Sequence, residues 1–248
     1  SRGVSWDPMS QFHIHAEAAQ IAPFVLLPGD PNRATRVAET LLESPERYNV
    51  NRQLLGYTGT YQGLRVSVQT TGMGCPSLAI VVEELVRLGA KTLLRIGTAG
   101  IIAPSVKPGD LIIAQAAIPM DGTTRMYLRG APYAPSASFW VTRALAAAAE
   151  QAGAAHHVGL IQTEDAFYAT EPGDVQRLAG LGVLGVEMES SALFLLGKLR
   201  SVEAGTILVA SNYIGDPQPV AAATLDRAVL TMVEVALSAG LELREESL

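Results

Sequence analysis

The chain has 248 residues, 48% of them hydrophobic and 17% charged, with a formal net charge of −6. That is enough apolar material for a sizeable core in one domain, and the acidic balance without a basic run excludes nucleic acid and anionic membrane as expected partners. The single cysteine, Cys75, excludes an intrachain disulfide framework and a cysteine-cluster metal site and fits a cytoplasmic setting.

No run of 18 uninterrupted apolar residues marks a membrane span, and no basic flank ahead of an apolar core marks a signal peptide. Ser1 to Pro8 are read as a leader ahead of Met9, outside the ordered fold, which leaves 9–248 as a single domain. Phe24 to Leu27 reads as a strand, and Pro28-Gly29-Asp30-Pro31 then turns into a helix over Asn32 to Leu42. Gly56 to Tyr61 and Arg65 to Thr71 read as two strands joined by a tight turn at Gln62-Gly63. Pro76 to Leu88 reads as a helix, with proline in its first turn and Gly89 just past its end. Thr92 to Ile96 is a strand entering Gly97-Thr98-Ala99-Gly100, and Asp110 to Ala117 is another. The segment from Pro119 to Pro135 reads as a loop, and Ser138 to Ala152 as an alanine-rich helix ending at Gly153. Further strands are expected at Val158 to Thr163, Gly182 to Glu187 and Gly205 to Ser211, and helices at Ser190 to Leu199 and Thr224 to Leu243. Strand–helix alternation mixed with a hairpin predicts one three-layer α/β domain around a mixed sheet.

Three stretches carry chemistry. The apolar run Val183 to Leu196 holds two acids, Glu187 and Glu189, and an unpaired buried carboxylate is costly. In a strand the two would share a face, where sugar hydroxyls can donate to them; at a strand-to-helix junction they would instead sit near the positive end of a helix dipole. Arg95 lies inside Thr92-Leu93-Leu94-Arg95-Ile96-Gly97, and a buried guanidinium needs an anion, its fork suiting phosphate or carboxylate. The alternative is an internal salt bridge, for instance to Glu83 or Glu84. Gly72-Met73-Gly74-Cys75-Pro76-Ser77 nearly matches a dinucleotide fingerprint, but the next strand holds Arg95 where the ribose-binding acid belongs. Such a turn still offers backbone N–H groups to a polar ligand.

Six segments in register then resemble one family: Pro28-Gly29-Asp30-Pro31 with Arg33, Gly56-Tyr57-Thr58-Gly59, Gly72-Met73-Gly74 with Pro76-Ser77, Arg95-Ile96-Gly97-Thr98-Ala99-Gly100, Asp165-Ala166-Phe167-Tyr168, and Val186-Glu187-Met188-Glu189. In order and spacing they resemble the hexameric purine nucleoside phosphorylases, within the wider nucleoside phosphorylase and nucleosidase superfamily, from about His13 to the last helix. The resemblance implies a partly barrel-like sheet flanked by helices. It implies that Gly29, Arg33, Arg95 and Thr98 bind phosphate, with Arg52 reaching the phosphate of a neighbouring subunit and His13 crossing the same interface to the ribose. Glu189 would bind the ribose hydroxyls, with Met73 and Met188 against the sugar. Phe167, Val186 and Glu187 would meet the base, and Ser211 and Asn212 its polar edge. Glu189, Arg95 and Asn212 are then the expected catalytic residues. No metal or organic cofactor is implied, inorganic phosphate being a co-substrate, and the expected assembly is a homo-oligomer, a hexamer built from dimers with shared sites.

The chain departs from part of that family at Ser211-Asn212-Tyr213-Ile214-Gly215-Asp216, where many members place an aspartate after the serine. An amide can donate one hydrogen bond and accept another but supplies no proton as an acid does, which predicts guanosine and inosine preferred over adenosine. Asp216 is the nearest alternative acid. The arginine that assists the aspartate elsewhere has no clear counterpart, Leu225 falling near its position and Arg227 two residues on. Rival readings are a uridine phosphorylase, a phosphate-independent nucleosidase, and a non-catalytic nucleoside-binding protein. Against them stand, in turn, the lack of a Gln/Arg pair near Phe167, the three arginines, and the intact Glu189 with its phosphate residues. His13 and His15 have the alternative of lying on a mobile N-terminus, and Phe167 that of plain core.

Overall fold

The computed structural model describes residues 11–216, 218 and 220–246; the leader expected over 1–8 lies outside the described residues. In chain order the first half comprises β1 (Phe24–Leu27), α1 (Pro31–Leu41), β2 (Glu43–Asn49), β3 (Gly56–Tyr61), β4 (Leu64–Gln69), α2 (Cys75–Arg87), β5 (Thr92–Ile101) and β6 (Leu111–Met120). The second half comprises α3 (Gly122–Leu128), α4 (Phe139–Gln151), β7 (His156–Glu164), α5 (Asp174–Gly180), β8 (Val183–Glu187), α6 (Ser190–Leu199), β9 (Glu203–Tyr213) and α7 (Ala222–Glu246).

Among the described residues, all nine strands join one mixed sheet in the order β2-β3-β4-β1-β5-β8-β7-β6-β9. β9 then returns to pair parallel with β5, from Thr92 opposite Glu203 to Ala99 opposite Ala210, so β5, β8, β7, β6 and β9 close into a barrel-like part. Alternation along the central strands explains the layers. Val25, Leu27 and Leu93 pack with Leu78 and Leu85 of α2 and Phe194 of α6. Phe24, Leu26, Leu94 and Ile96 face the other way, onto Val37 of α1, Val141 of α4 and Met232 of α7. A strand whose successive side chains are all buried must be covered on both faces, and β1 is buried at all four residues. The expected three-layer α/β domain is therefore found.

Four local differences have physical causes. β2 was not expected, because Glu-Ser-Pro-Glu-Arg-Tyr-Asn is polar and mostly exposed. It is an edge strand held by antiparallel pairing to β3, with Pro45 at a register shift between Glu43 and Glu46, where a missing N–H is tolerated. β5 does not stop at Ile96 but runs on through Gly97–Gly100 to Ile101, because β9 on one side and β8 on the other supply backbone partners there. The segment expected to be a loop from Pro119 to Pro135 contains α3, whose N-cap Asp121 is buried and accepts from the Thr124 N–H. α5 follows Gly173 and packs on β8, a seven-residue helix too short to show a periodic pattern.

The strand ends that matter lie on one side of the sheet. The turn after β1 carries Gly29 and ends at Asp30, whose side chain accepts the Asn32 N–H at 2.9 Å and caps α1. Beside it lie the end of β4 with the turn at Gly72–Gly74, the last turn of β5, the ends of β7 and β8, and Ser211–Tyr213 of β9. Ligands of open α/β sheets gather at such carboxyl ends.

Candidate active site

Arg95 is buried in the middle of β5, and its charge is met twice. Its Nε donates to Glu187 Oε2 at 2.9 Å and its Nη2 lies 2.9 Å from Glu189 Oε2. Glu83 and Glu84, the salt-bridge partners considered from sequence, are elsewhere. Glu83 pairs with Arg200 and accepts from Tyr127, while Glu84 faces His13 and accepts the N–H groups of His13 and Ile14. Burial works against the Arg95 charge, but Glu189 and Glu187 together hold its pKa above the ordinary arginine value. Glu189 is pushed the other way from a normal carboxylate. Burial raises its pKa, Arg95 lowers it, and the charge of Glu187 raises it further, with a net upward shift.

The two acids flank a strand-to-helix junction, with Glu187 ending the strand and Glu189 at the helix N-cap, and both meet Arg95. Glu187 accepts the N–H groups of Glu189 and Ser190 at the α6 N-terminus and the Thr163 hydroxyl at 2.5 Å. Glu187, expected to meet the base, lies on the same wall as Phe167 and Val186. Its carboxylate is fully buried and turned to Arg95, Thr163 and the helix N-terminus, because a buried charge settles where donors converge. Glu189 keeps more freedom: Oε2 meets Arg95, and Oε1 accepts a long 3.3 Å bond from the Gly74 N–H.

These groups form the floor of a cavity of about 1170 Å³. Its lining includes Gly29, Arg33, Arg95 and Thr98, then Met73, Met188 and Glu189, then Phe167, Val186, Glu187, Ser211 and Asn212. Twelve of the residues singled out from the sequence thus converge on one space. Glycine is favoured at position 29, where an added Cβ would stand 3.0 Å from the Gly72 carbonyl oxygen and 3.6 Å from Glu189 Oε1. At Gly100 an added Cβ would meet Ile214 Cδ1 at 2.2 Å, so a side chain there would displace Ile214. Arg33 donates to the Ile96 carbonyl at 3.3 Å; burial lowers its pKa, Asp30 counters, and Arg95 and Arg36 lower it further. Two like charges converging on open space mark a place for an anion.

Phe167 is 68% exposed and stacks edge-on with Tyr168, ring centroids 4.9 Å apart, so it is cavity wall rather than core. Asn212 stands at the end of β9, its Oδ1 accepting from Ser211 Oγ at 3.0 Å and its Nδ2 donating to the Tyr213 carbonyl at 3.3 Å. Asp216 is turned to the Gln218 N–H at 2.9 Å and is not in the cavity lining. Tyr213 points away, donating to the Val106 carbonyl. Leu225 and Arg227 lie on α7, outside the lining.

His13 and Arg52 do not line this chain's own cavity. His13 is not on a loose tail, since its Nδ1 lies 2.8 Å from Glu84 Oε1 and the next residue, Ile14, is fully buried. The Asn51 side chain donates to the His13 carbonyl at 3.1 Å, tying the Arg52 turn to the His13 segment. Residues the sequence did not flag also line the cavity, among them Glu164, Glu171 and Gln176. Glu164 gave no signal because an acid at a strand end usually reads as solvated.

A family model described as the Phosphorylase superfamily matches residues 23–239. The chain is 42% identical over 232 residues to the "Purine nucleoside phosphorylase DeoD-type" of Clostridium perfringens (strain SM101 / Type A), covering 93% of this chain and 99% of that one. It is 43% identical over 230 residues to the protein of the same name from Geobacillus kaustophilus (strain HTA426), covering 92% and 97%. A third such relative, from Exiguobacterium sp. (strain ATCC BAA-1283 / AT1b), is 42% identical over 231 residues, covering 93% and 98%.

Proposed function

Because this chain belongs to the Phosphorylase superfamily and within it to the DeoD-type purine nucleoside phosphorylases, we propose that it catalyses reversible phosphorolysis of purine ribo- and deoxyribonucleosides to free base and the pentose 1-phosphate. The observation that carries this reading is the Arg95–Glu189 ion pair on the cavity floor, where a group suited to an anion touches a group suited to sugar hydroxyls. Phosphate is held by the Gly29 turn, Arg33, Arg95 and Thr98. Its oxygen attacks C1′ while the bond to N9 breaks, and the sugar passes through an oxocarbenium-like state. Positive charge develops between the phosphate dianion and Glu189, so both stabilise it, and the arginines act by positioning and electrostatics. Met73 and Met188 pack the sugar, while Phe167 and Val186 flank the base. This chemistry needs no metal or organic cofactor, and the lone Cys75 supports a cytoplasmic setting. Release of base from guanosine, inosine and adenosine, compared with uridine, in the presence of phosphate tests the reading. A higher kcat/KM on uridine would replace it with a uridine phosphorylase.

Asn212 supports a preference for 6-oxopurines. Its amide can bond N7 or O6 of the leaving base without donating a full proton, and adenine departs more readily when N7 is protonated. In Asn212→Asp, which restores a potential acid, kcat/KM on adenosine is expected to rise about 10-fold or more relative to guanosine. Wild-type protein turning over adenosine better than guanosine would contradict the preference.

The assembly that fits is a homo-oligomer, a hexamer built from three dimers, in which His13 and Arg52 complete a neighbour's site. Their joint place outside their own cavity supports this reading. Sedimentation at assay concentration should show at least a dimer, with activity falling on dilution to monomer; a fully active monomer would rule out shared sites.

A further inference from the structure

Arg52 sits on a turn that its own residue types disfavour. β2 ends at Asn49, and a single turn over Asn51–Gln53 follows it. Arg52 and Gln53 stand at φ 54° and 60°, two successive left-handed positions, and neither is glycine. A Cβ makes that region unfavourable, and such residues keep it only where their surroundings fix the chain. Arg52 is exposed, and among the described residues no hydrogen bond or ion pair occupies its guanidinium.

The restraint lies behind the turn. The Leu54 carbonyl accepts from Asn49 Nδ2 at 2.7 Å and from Gln69 Nε2 at 3.0 Å. Asn49 is 2% exposed and Gln69 is fully buried. The next carbonyl, that of Leu55, accepts both the N–H and the hydroxyl of Thr70, at 3.0 and 2.8 Å. The turn is thus anchored at its far end to the end of β4. Asn49 also faces the other way: its Oδ1 accepts the His15 N–H at 3.0 Å. One buried amide therefore bonds the Arg52 turn with its donor end and the His13–His15 segment with its acceptor end. An amide paired at both ends has a single orientation.

We propose that Asn49 is a positioning residue, which holds the strained Arg52 turn and the His13 segment in one fixed relation so that both reach a neighbour's site together. This rests on the shared-site reading above. Backbone strain persists where a conformation is held ready for use. An arginine on a free turn would lose conformational freedom on meeting phosphate, whereas one on an anchored turn has lost it on folding. Asn49 then acts on phosphate through Arg52 and on the nucleoside through His13, and its two bonds can be removed separately.

Asn49→Asp keeps the shape and the acceptor for the His15 N–H but withdraws the donor to Leu54. Its KM for phosphate is expected to rise about 10-fold, while its KM for guanosine stays within about twofold of wild type. Asn49→Ala removes both bonds and should raise both KM values. Adding Gln53→Gly to Asn49→Asp relieves the strain that Asn49 opposes, and should return the phosphate KM to within about threefold of wild type. A merely structural loss would lower the active fraction, and with it kcat, and a glycine at position 53 would not restore a KM. Calorimetric titration with inorganic phosphate reads the same turn without turnover, and its Kd should weaken in Asn49→Asp and recover in the double variant. Gln53→Gly alone should raise Tm and leave the kinetic constants unchanged; a lowered Tm would mean that the turn is not strained and would overturn the proposal even if neither Asn49 variant assembles. In an assembled Asn49→Asp, a phosphate KM and Kd within about twofold of wild type would overturn it, as would a double variant no better than the single one. These outcomes leave the shared-site reading standing. A wild type fully active as a monomer by sedimentation would remove that reading, and this proposal with it.

Discussion

In Glu189→Ala, kcat for guanosine phosphorolysis is expected to fall by about two to three orders of magnitude, with a smaller change in the KM for phosphate. The cause is the timing of charge. A ribose in the ground state offers Glu189 only hydroxyl donors, whereas the oxocarbenium-like state adds positive charge beside it. An interaction stronger in the transition state than in the ground state is lost mainly from kcat. Glu189 is held for this task by Arg95 at 2.9 Å and by the Gly74 N–H, and Gly29 leaves its Oε1 accessible. Arg95 keeps Glu187 as a partner when Glu189 is removed, so the variant should fold. Steady-state kinetics with circular dichroism checks both points. Near-wild-type kcat in a folded Glu189→Ala would mean that the ribose subsite is misassigned.

Arg95→Ala is expected to combine two losses. The first is functional: kcat/KM for phosphate should fall about 100-fold or more, because a guanidinium aimed into the cavity is removed from an anion that does the attacking. The second is structural. Glu187 is fully buried and Glu189 nearly so, and deleting the cation that meets both leaves two buried carboxylates without that counter-charge. Breaking a buried pair by removing one partner costs about 3–5 kcal/mol, which urea unfolding will read directly. The two losses separate in Arg95→Lys, which keeps the charge but not the fork: a lysine cannot serve Glu187 and Glu189 in the same planar geometry. That variant should recover much of the stability and little of the phosphate affinity. Full recovery of both would reduce Arg95 to a point charge.

Much of this was readable from residue types that sit against their surroundings. Arg95 in a run of apolar residues and Glu187 and Glu189 in another were conspicuous because burial of a lone charge is costly, and the fold pairs them with one another. The glycine turns were readable because glycine suits a close backbone approach, as at Gly29, and a positive φ, as at Gly72 and Gly74. What escaped the sequence was decided by tertiary pairing or by length. β2 is polar and exists because β3 offers it backbone partners. The continuation of β5 through Gly97–Gly100 depends on β8 and β9, which are distant in sequence. α3 and α5 have seven residues each, too few for a periodic signature. In the site, both acids hold Arg95, and the further bonds of Glu187 to Thr163 and to the α6 N-terminus are tertiary contacts that no sequence pattern signals. Glu164 was passed over because the bond its carboxylate accepts from Gln162 is visible only as a contact.

The central claim is that Arg33, Arg95 and Glu189 serve a reaction in which phosphate, not water, takes the pentose. The most direct test is release of guanine from guanosine by the wild-type protein with and without inorganic phosphate, following ribose 1-phosphate as the second product. The account predicts cleavage that depends on phosphate, saturates with it, and yields one ribose 1-phosphate per guanine. Cleavage at the same rate without phosphate, yielding free ribose, would contradict it and leave the paired arginines without a purpose.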